Sequence, residues 1–113
     1  MFGENNLEKI EKLGQKGNSK KILPYASSKK ADERAAAAAA LGNTSTDEAF
    51  NALINMLHDS DTTVRINATG ALKKMGRAAA VEHLRHTANN ATDEALKAAC
   101  TDAAASLSQN SRK

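Results

Sequence analysis

The stretch that decides the fold is Ala52-Leu-Ile-Asn-Met-Leu57, followed by Asp61-Thr-Thr-Val-Arg65, then Ala68 and Ala71-Leu72. Ala49, Phe50, Leu53, Ile54, Met56 and Leu57 fall on one face of a helix, with polar residues on the other. Asp61 has the side chain that caps a helix start, and Gly76 is the residue that ends one. Residues 45–76 therefore read as two helices joined by a short turn. One such pair cannot bury its own apolar face, so neighbours of the same design must cover it.

Those neighbours are present on both sides. Arg34, Arg65 and Lys97 form a column with spacings of 31 and 32 residues. One position earlier stand Glu33, Val64 and Leu96. Three later stand Ala37, Ala68 and Cys100; six later, Ala40, Ala71 and Ala103; seven later, Leu41, Leu72 and Ala104; ten later, Thr44, Met75 and Leu107. These offsets mark one helical face. The preceding helices align through Ile22, Leu53 and Leu84 if the loop Asn89–Ala91 carries one extra residue.

The resulting plan is a single all-α domain over residues 1–113, with a capping helix at about 5–16 and repeats at about 18–44, 45–76 and 77–109. Leu7, Ile10 and Leu13 stripe the capping helix, which Gly14 and Gly17 end. Pro24 bends the next helix or starts it, because proline removes a backbone donor. A third helix runs from about Asp32 to Leu41. Ser45 with Glu48 forms a capping box for the fourth. The fifth starts after Asp61, the sixth spans about Arg77–Ala88 and the seventh about Thr92–Leu107. Residues 108–113 read as a frayed tail. No run of alternating β-branched residues suggests a strand.

Composition fits a helical stack. Hydrophobic residues are 41% of the chain, yet the aromatics are only Phe2, Tyr25 and Phe50. Alanine supplies much of the apolar count, and it favours helix and close helix approach. No apolar run is long enough to span a membrane, and the first residues lack the pattern of a secretory signal. The expected setting is cytoplasmic. The net charge of +3 lies in residues 1–34, which hold eight Lys/Arg against five Asp/Glu.

On the residues Ala52–Leu57, Asp61–Arg65, Ala68 and Ala71-Leu72, and on Asp93-Glu-Ala-Leu-Lys97 with Cys100 and Ala103, the chain resembles the HEAT-like repeat family, including its phycobilisome-lyase variant. The resemblance covers about residues 18–109. It implies a right-handed α-α superhelix, a short solenoid of three helix pairs. It also implies a polar ladder between layers through Asp61, Arg65, Asp93 and Lys97. The first repeat departs from the pattern: Lys30 stands where an aspartate belongs, and Glu33 replaces the apolar residue before Arg34.

Candidate chemistry is sparse. Cys100 shares its column with Ala37 and Ala68, which points to a small buried residue and not a nucleophile. His83 and His86 are spaced i, i+3, but a metal needs further ligands, and His58 falls in another repeat. Asp47-Glu48 and Asp93-Glu94 open helices, where negative charge is favourable. No catalytic residue, metal or cofactor is expected. Lys9, Lys12, Lys16, Lys20, Lys21, Lys29 and Lys30 are the basic set a phosphate backbone would need. Glu8, Glu11, Asp32 and Glu33 interrupt that set, and stacking aromatics are nearly absent.

In such solenoids, by the resemblance, the second helix of each pair lines the concave side. Its free positions read Ala36, Ala39 and Asn43; Asn67, Gly70 and Lys74; Ala99, Asp102 and Ser106. The expected function is a non-enzymatic interaction module or adaptor. It would take a protein or peptide partner on this surface, with contacts from Asn67, Gly70, Lys74, Asp102 and Ser106. Alternatives are a lyase-type chromophore or cofactor handler and weak nucleic-acid binding through the basic N-terminal part. Self-association through an exposed repeat end is a further expectation.

Overall fold

The computed structural model describes residues 5–110. Residues 111–113 of the expected tail lie outside them. Seven α-helices follow in order among the described residues: α1 (Asn6–Gln15), α2 (Ser19–Ile22), α3 (Ala31–Leu41), α4 (Asp47–Met56), α5 (Thr62–Met75), α6 (Val81–Asn90) and α7 (Glu94–Asn110). Short 3-10 turns at Leu23–Ser27 and Ala78–Ala80 extend α2 and lead into α6. Pro24 sits at the start of the first turn, where its missing N–H is least costly.

The second helices form one layer. α1 packs on α3, α3 on α5 and α5 on α7, while α4 and α6 lie against their own partners α5 and α7. The slab measures 47 × 32 × 17 Å, the proportions of a row of hairpins and not of a closed bundle. The predicted columns are the core. Ala37, Ala68 and Cys100 are all fully buried, as are Ile22, Leu53 and Leu84. Ala40, Ala71 and Ala103, Leu41, Leu72 and Ala104, and Glu33, Val64 and Leu96 are buried too. Only Met75 in the last column remains partly exposed. Each fully buried leucine or isoleucine of the outer layer stabilises by about 1.5–3 kcal/mol.

Small residues set the layer spacing. A Cβ added to Gly14 would stand 2.9 Å from Ala40 Cβ, and one added to Gly42 would stand 2.9 Å from Ala71 Cβ. Gly14 is thus an interior packing residue of α1 and not its stop; the chain turns at Gly17, whose φ of 67° favours glycine. Through these two contacts α1 meets α3 much as α3 meets α5.

The caps correct the expected boundaries in places. Thr46, not Ser45, caps α4, accepting from Ala49 N at 3.1 Å. Ser45 instead offers its carbonyl to Arg77 Nη2. Asp61 caps α5 as expected, accepting from Val64 N at 3.1 Å. The string Thr-Asp-Glu-Ala recurs at 92–95, yet there the aspartate caps: Asp93 accepts from Leu96 N at 3.0 Å. α7 continues through Asn110, and Arg85 Nη2 donates to Ser108 Oγ at 3.3 Å, so the helix reaches into the first residues of the expected tail.

Candidate functional site

Polar contacts between repeats fix the layers before any surface is offered. Arg34 donates Nε to Asp59 Oδ2 at 2.9 Å and Nη2 to Asp59 Oδ1 at 3.1 Å. The paired guanidinium holds the Asp59 carboxyl below its usual range, against the opposing effect of burial. Arg77 reaches back from the third repeat to Asp47 Oδ1 at 2.7 Å and lies 5.2 Å from the centre of the Phe50 ring.

The ladder expected at Asp61, Arg65, Asp93 and Lys97 takes a different form. Asp61 and Asp93 spend their carboxylates on helix caps. Arg65 donates to Asp59 O and Thr62 Oγ1 at 2.7 and 2.8 Å, and Lys97 is exposed. The carboxylate that Arg34 grips across the first two repeats is Asp59, which sequence reasoning missed. Its position in the turn after α4, next to the arginine column in space but 25 residues from Arg34, left only a weak signal.

Glu33, the residue that broke the column, is buried and satisfied. It accepts from Ser28 Oγ at 2.7 Å and from Asn6 Nδ2 at 2.9 Å, and these bonds lower its pKa. Cys100 is fully buried with Thr69 Oγ1 3.4 Å from its sulfur. Burial pushes the thiol pKa up, opposite to what a nucleophile needs.

A groove opens where α1, α3 and the end of α5 meet. It encloses about 640 Å³, with Ala36 and Ala39 along α3, Asn43 just past its end, Leu7 and Glu11 on α1, and Lys74 from α5. Leu7 is the one exposed large hydrophobic side chain among the described residues, at 38% exposure. Gly70 stands one turn before Lys74 with no atom within 4 Å of where its Cβ would be, so the surface stays low there. Glu11 and Asp32 set two acids against Lys74. The structure thus joins Lys74 to the alanine face expected on α3.

The remaining expected contact residues sit apart from that groove. Asn67 is half-buried and donates Nδ2 to Ala35 O at 3.0 Å, which ties α5 to α3. Asp102 pairs with Lys73 at 2.7 Å, both well exposed. Ser106 is half-buried on α7. His83 is exposed on α6, whereas His58 and His86 line a common cleft between the second and third repeats. No group of three metal-ligating side chains comes together among the described residues.

A second surface lies at the N-terminal end, where Lys9, Lys20 and Lys21 surround Leu13, Pro24 and Tyr25 in a cleft of about 480 Å³.

A family model described as HEAT repeats matches residues 19–105. The chain belongs to the HEAT-repeat family. No curated protein matches it. The matched span runs from α2 into α7, so α1 lies before it while packing on α3 in the same layer. HEAT repeats commonly serve as protein-interaction scaffolds, and the family is typically non-enzymatic. No helix among the described residues is long and apolar enough to cross a membrane.

Proposed function

We propose that this HEAT-repeat chain is a non-enzymatic interaction module that takes a partner protein segment into the groove between α1, α3 and the end of α5. The observation that carries the reading is the groove floor. Ala36 and Ala39 let a partner backbone approach closely, while Leu7 supplies an apolar edge and Lys74 and Asn43 supply polar ends. In helix-in-groove recognition an amphipathic helix lays its apolar face into such a groove. Glu11 and Asp32 outnumber Lys74, so a segment carrying a basic residue complements the groove. Asn67, Gly70, Asp102 and Ser106 extend the surface on the following helices.

The test is paired affinity capture from the native cell with the wild type and with Ala36→Arg and Ala39→Trp. The reading expects a partner retained by the wild type and lost from both variants, with unchanged circular dichroism. A partner that all three retain equally removes the groove from the account.

A second reading, nucleic-acid binding, is favoured by the gathering of Lys9, Lys20 and Lys21 beside Tyr25. It predicts a mobility shift of single-stranded DNA that weakens steeply as salt rises. No retardation at low salt excludes it.

A further inference from the structure

The two arginines of the central column begin alike and then diverge. Arg34 donates Nη1 to Ser28 O at 3.0 Å, and Arg65 donates Nη1 to Asp59 O at 2.7 Å; each acceptor is the carbonyl six residues earlier. Arg34 then grips the Asp59 carboxylate of the next repeat with two parallel bonds. At the corresponding place in the third repeat, 31 or 32 residues beyond Asp59, stand Asn90 and Ala91, neither of them charged. Helix α6 runs through Asn90, whose amide donates back to His86 O at 2.9 Å. Arg65 turns Nη2 to the nearby Thr62 hydroxyl instead. No carboxylate among the described residues lies within salt-bridge distance of it.

The space left by the missing carboxylate is open. A cleft of about 280 Å³ lies against Arg65, floored by Leu57 and Leu96 and bounded by His58, His86 and Asn90. A guanidinium has five N–H donors, and the two bonds above leave three for a ligand.

We propose that the Arg65 cleft is a carboxylate-binding site, filled from outside by the group that Asp59 supplies to Arg34. The chemistry is that of the occupied position one repeat earlier: a planar two-oxygen anion on a guanidinium edge. Surrounding charge selects a single negative charge over a phosphate. Asp59 and Asp93 also line the cleft, and although each is engaged elsewhere, both repel a dianion more strongly than a monoanion. The carboxylate belongs either to an acidic side chain of a partner protein or to a free small acid. The site is separate from the α1–α3 groove and stands or falls independently of it.

The experiment follows arginine Nε–Hε signals of the full chain by NMR. Sodium acetate is titrated against sodium chloride at equal ionic strength. Acetyl-Gly-Asp-Gly-amide and its Asn counterpart are then compared. The proposal expects a saturable shift of Arg65 with acetate and with the Asp peptide, none with the Asn peptide, and none at Arg34. Tighter binding of the Asp peptide assigns the site to a partner side chain; equal or tighter binding of acetate assigns it to a small acid. Ala91→Asp, which restores an internal carboxylate, abolishes the shift. Equal responses of Arg34 and Arg65, no response beyond chloride, or a larger response to phosphate overturns the proposal.

Discussion

Arg34 and Asp59, 25 residues apart in sequence, meet through two bonds of 2.9 and 3.1 Å, with only 16% and 13% of their side chains exposed. This pair joins the first two repeats where their helices turn, just outside the alanine columns that join them along the layer. Asp59 also accepts from Asp61 N at 2.9 Å, so one carboxylate fixes both the neighbouring repeat and the approach to α5.

The pair makes stability depend on acid. The Asp59 carboxyl has a folded pKa below its ordinary value of 3.8, and Glu33 one below 4.5. The folded chain therefore binds fewer protons than the unfolded chain in that range. The stabilisation is complete above the ordinary values and is lost as pH falls through the lowered ones. Asp59→Asn is expected to cost about 1.5–3 kcal/mol at neutral pH, the worth of hydrogen bonds to a charged group. Urea unfolding at a series of pH values should show that difference shrinking below pH 3.8. A difference that stays constant into strong acid contradicts the role given to the charge.

Cys100 provides a check on the core. Its thiol lies in the column of Ala37 and Ala68 and has its pKa raised by burial. A thiol reagent at pH 8 should label it only as fast as the chain opens, and at once in denaturant. Cys100→Ala should cost about 0.5–1.5 kcal/mol, as expected for deleting one buried heavy atom. Rapid native labelling would place the sulfur outside the layer contact.

The columns were legible because a repeated packing problem leaves a repeated spacing. Ala68 and Cys100 had to be small for the same reason, and their equivalence showed at 32 residues without any tertiary information. The cap at α4 was not legible to the residue. Ser45 and Thr46 both cap helices well, and the choice fell to Thr46, whose hydroxyl also donates to Ser19 Oγ in the preceding repeat. Glu33 looked like a defect because its two partners, Asn6 and Ser28, come from α1 and the turn before α3. Asp59 was hidden because an aspartate in a turn has many local uses. The groove floor at Ala36 and Ala39 was readable as a face of α3. Its wall was only partly so, because Leu7 and Glu11 reach it through the docking of α1.

The most direct measurement compares one substitution on two faces of the same layer. Ala68→Leu places a large side chain in the contact between repeats, and Ala39→Leu places it on the groove floor. Unfolding in urea should show Ala68→Leu destabilised by about 1–3 kcal/mol or more, as overpacking predicts. Ala39→Leu should fall within about 0.5 kcal/mol of the wild type, as for an exposed site. Equal losses for the two, or a greater loss at Ala39, would contradict an inter-repeat spine of small residues with an open face beside it.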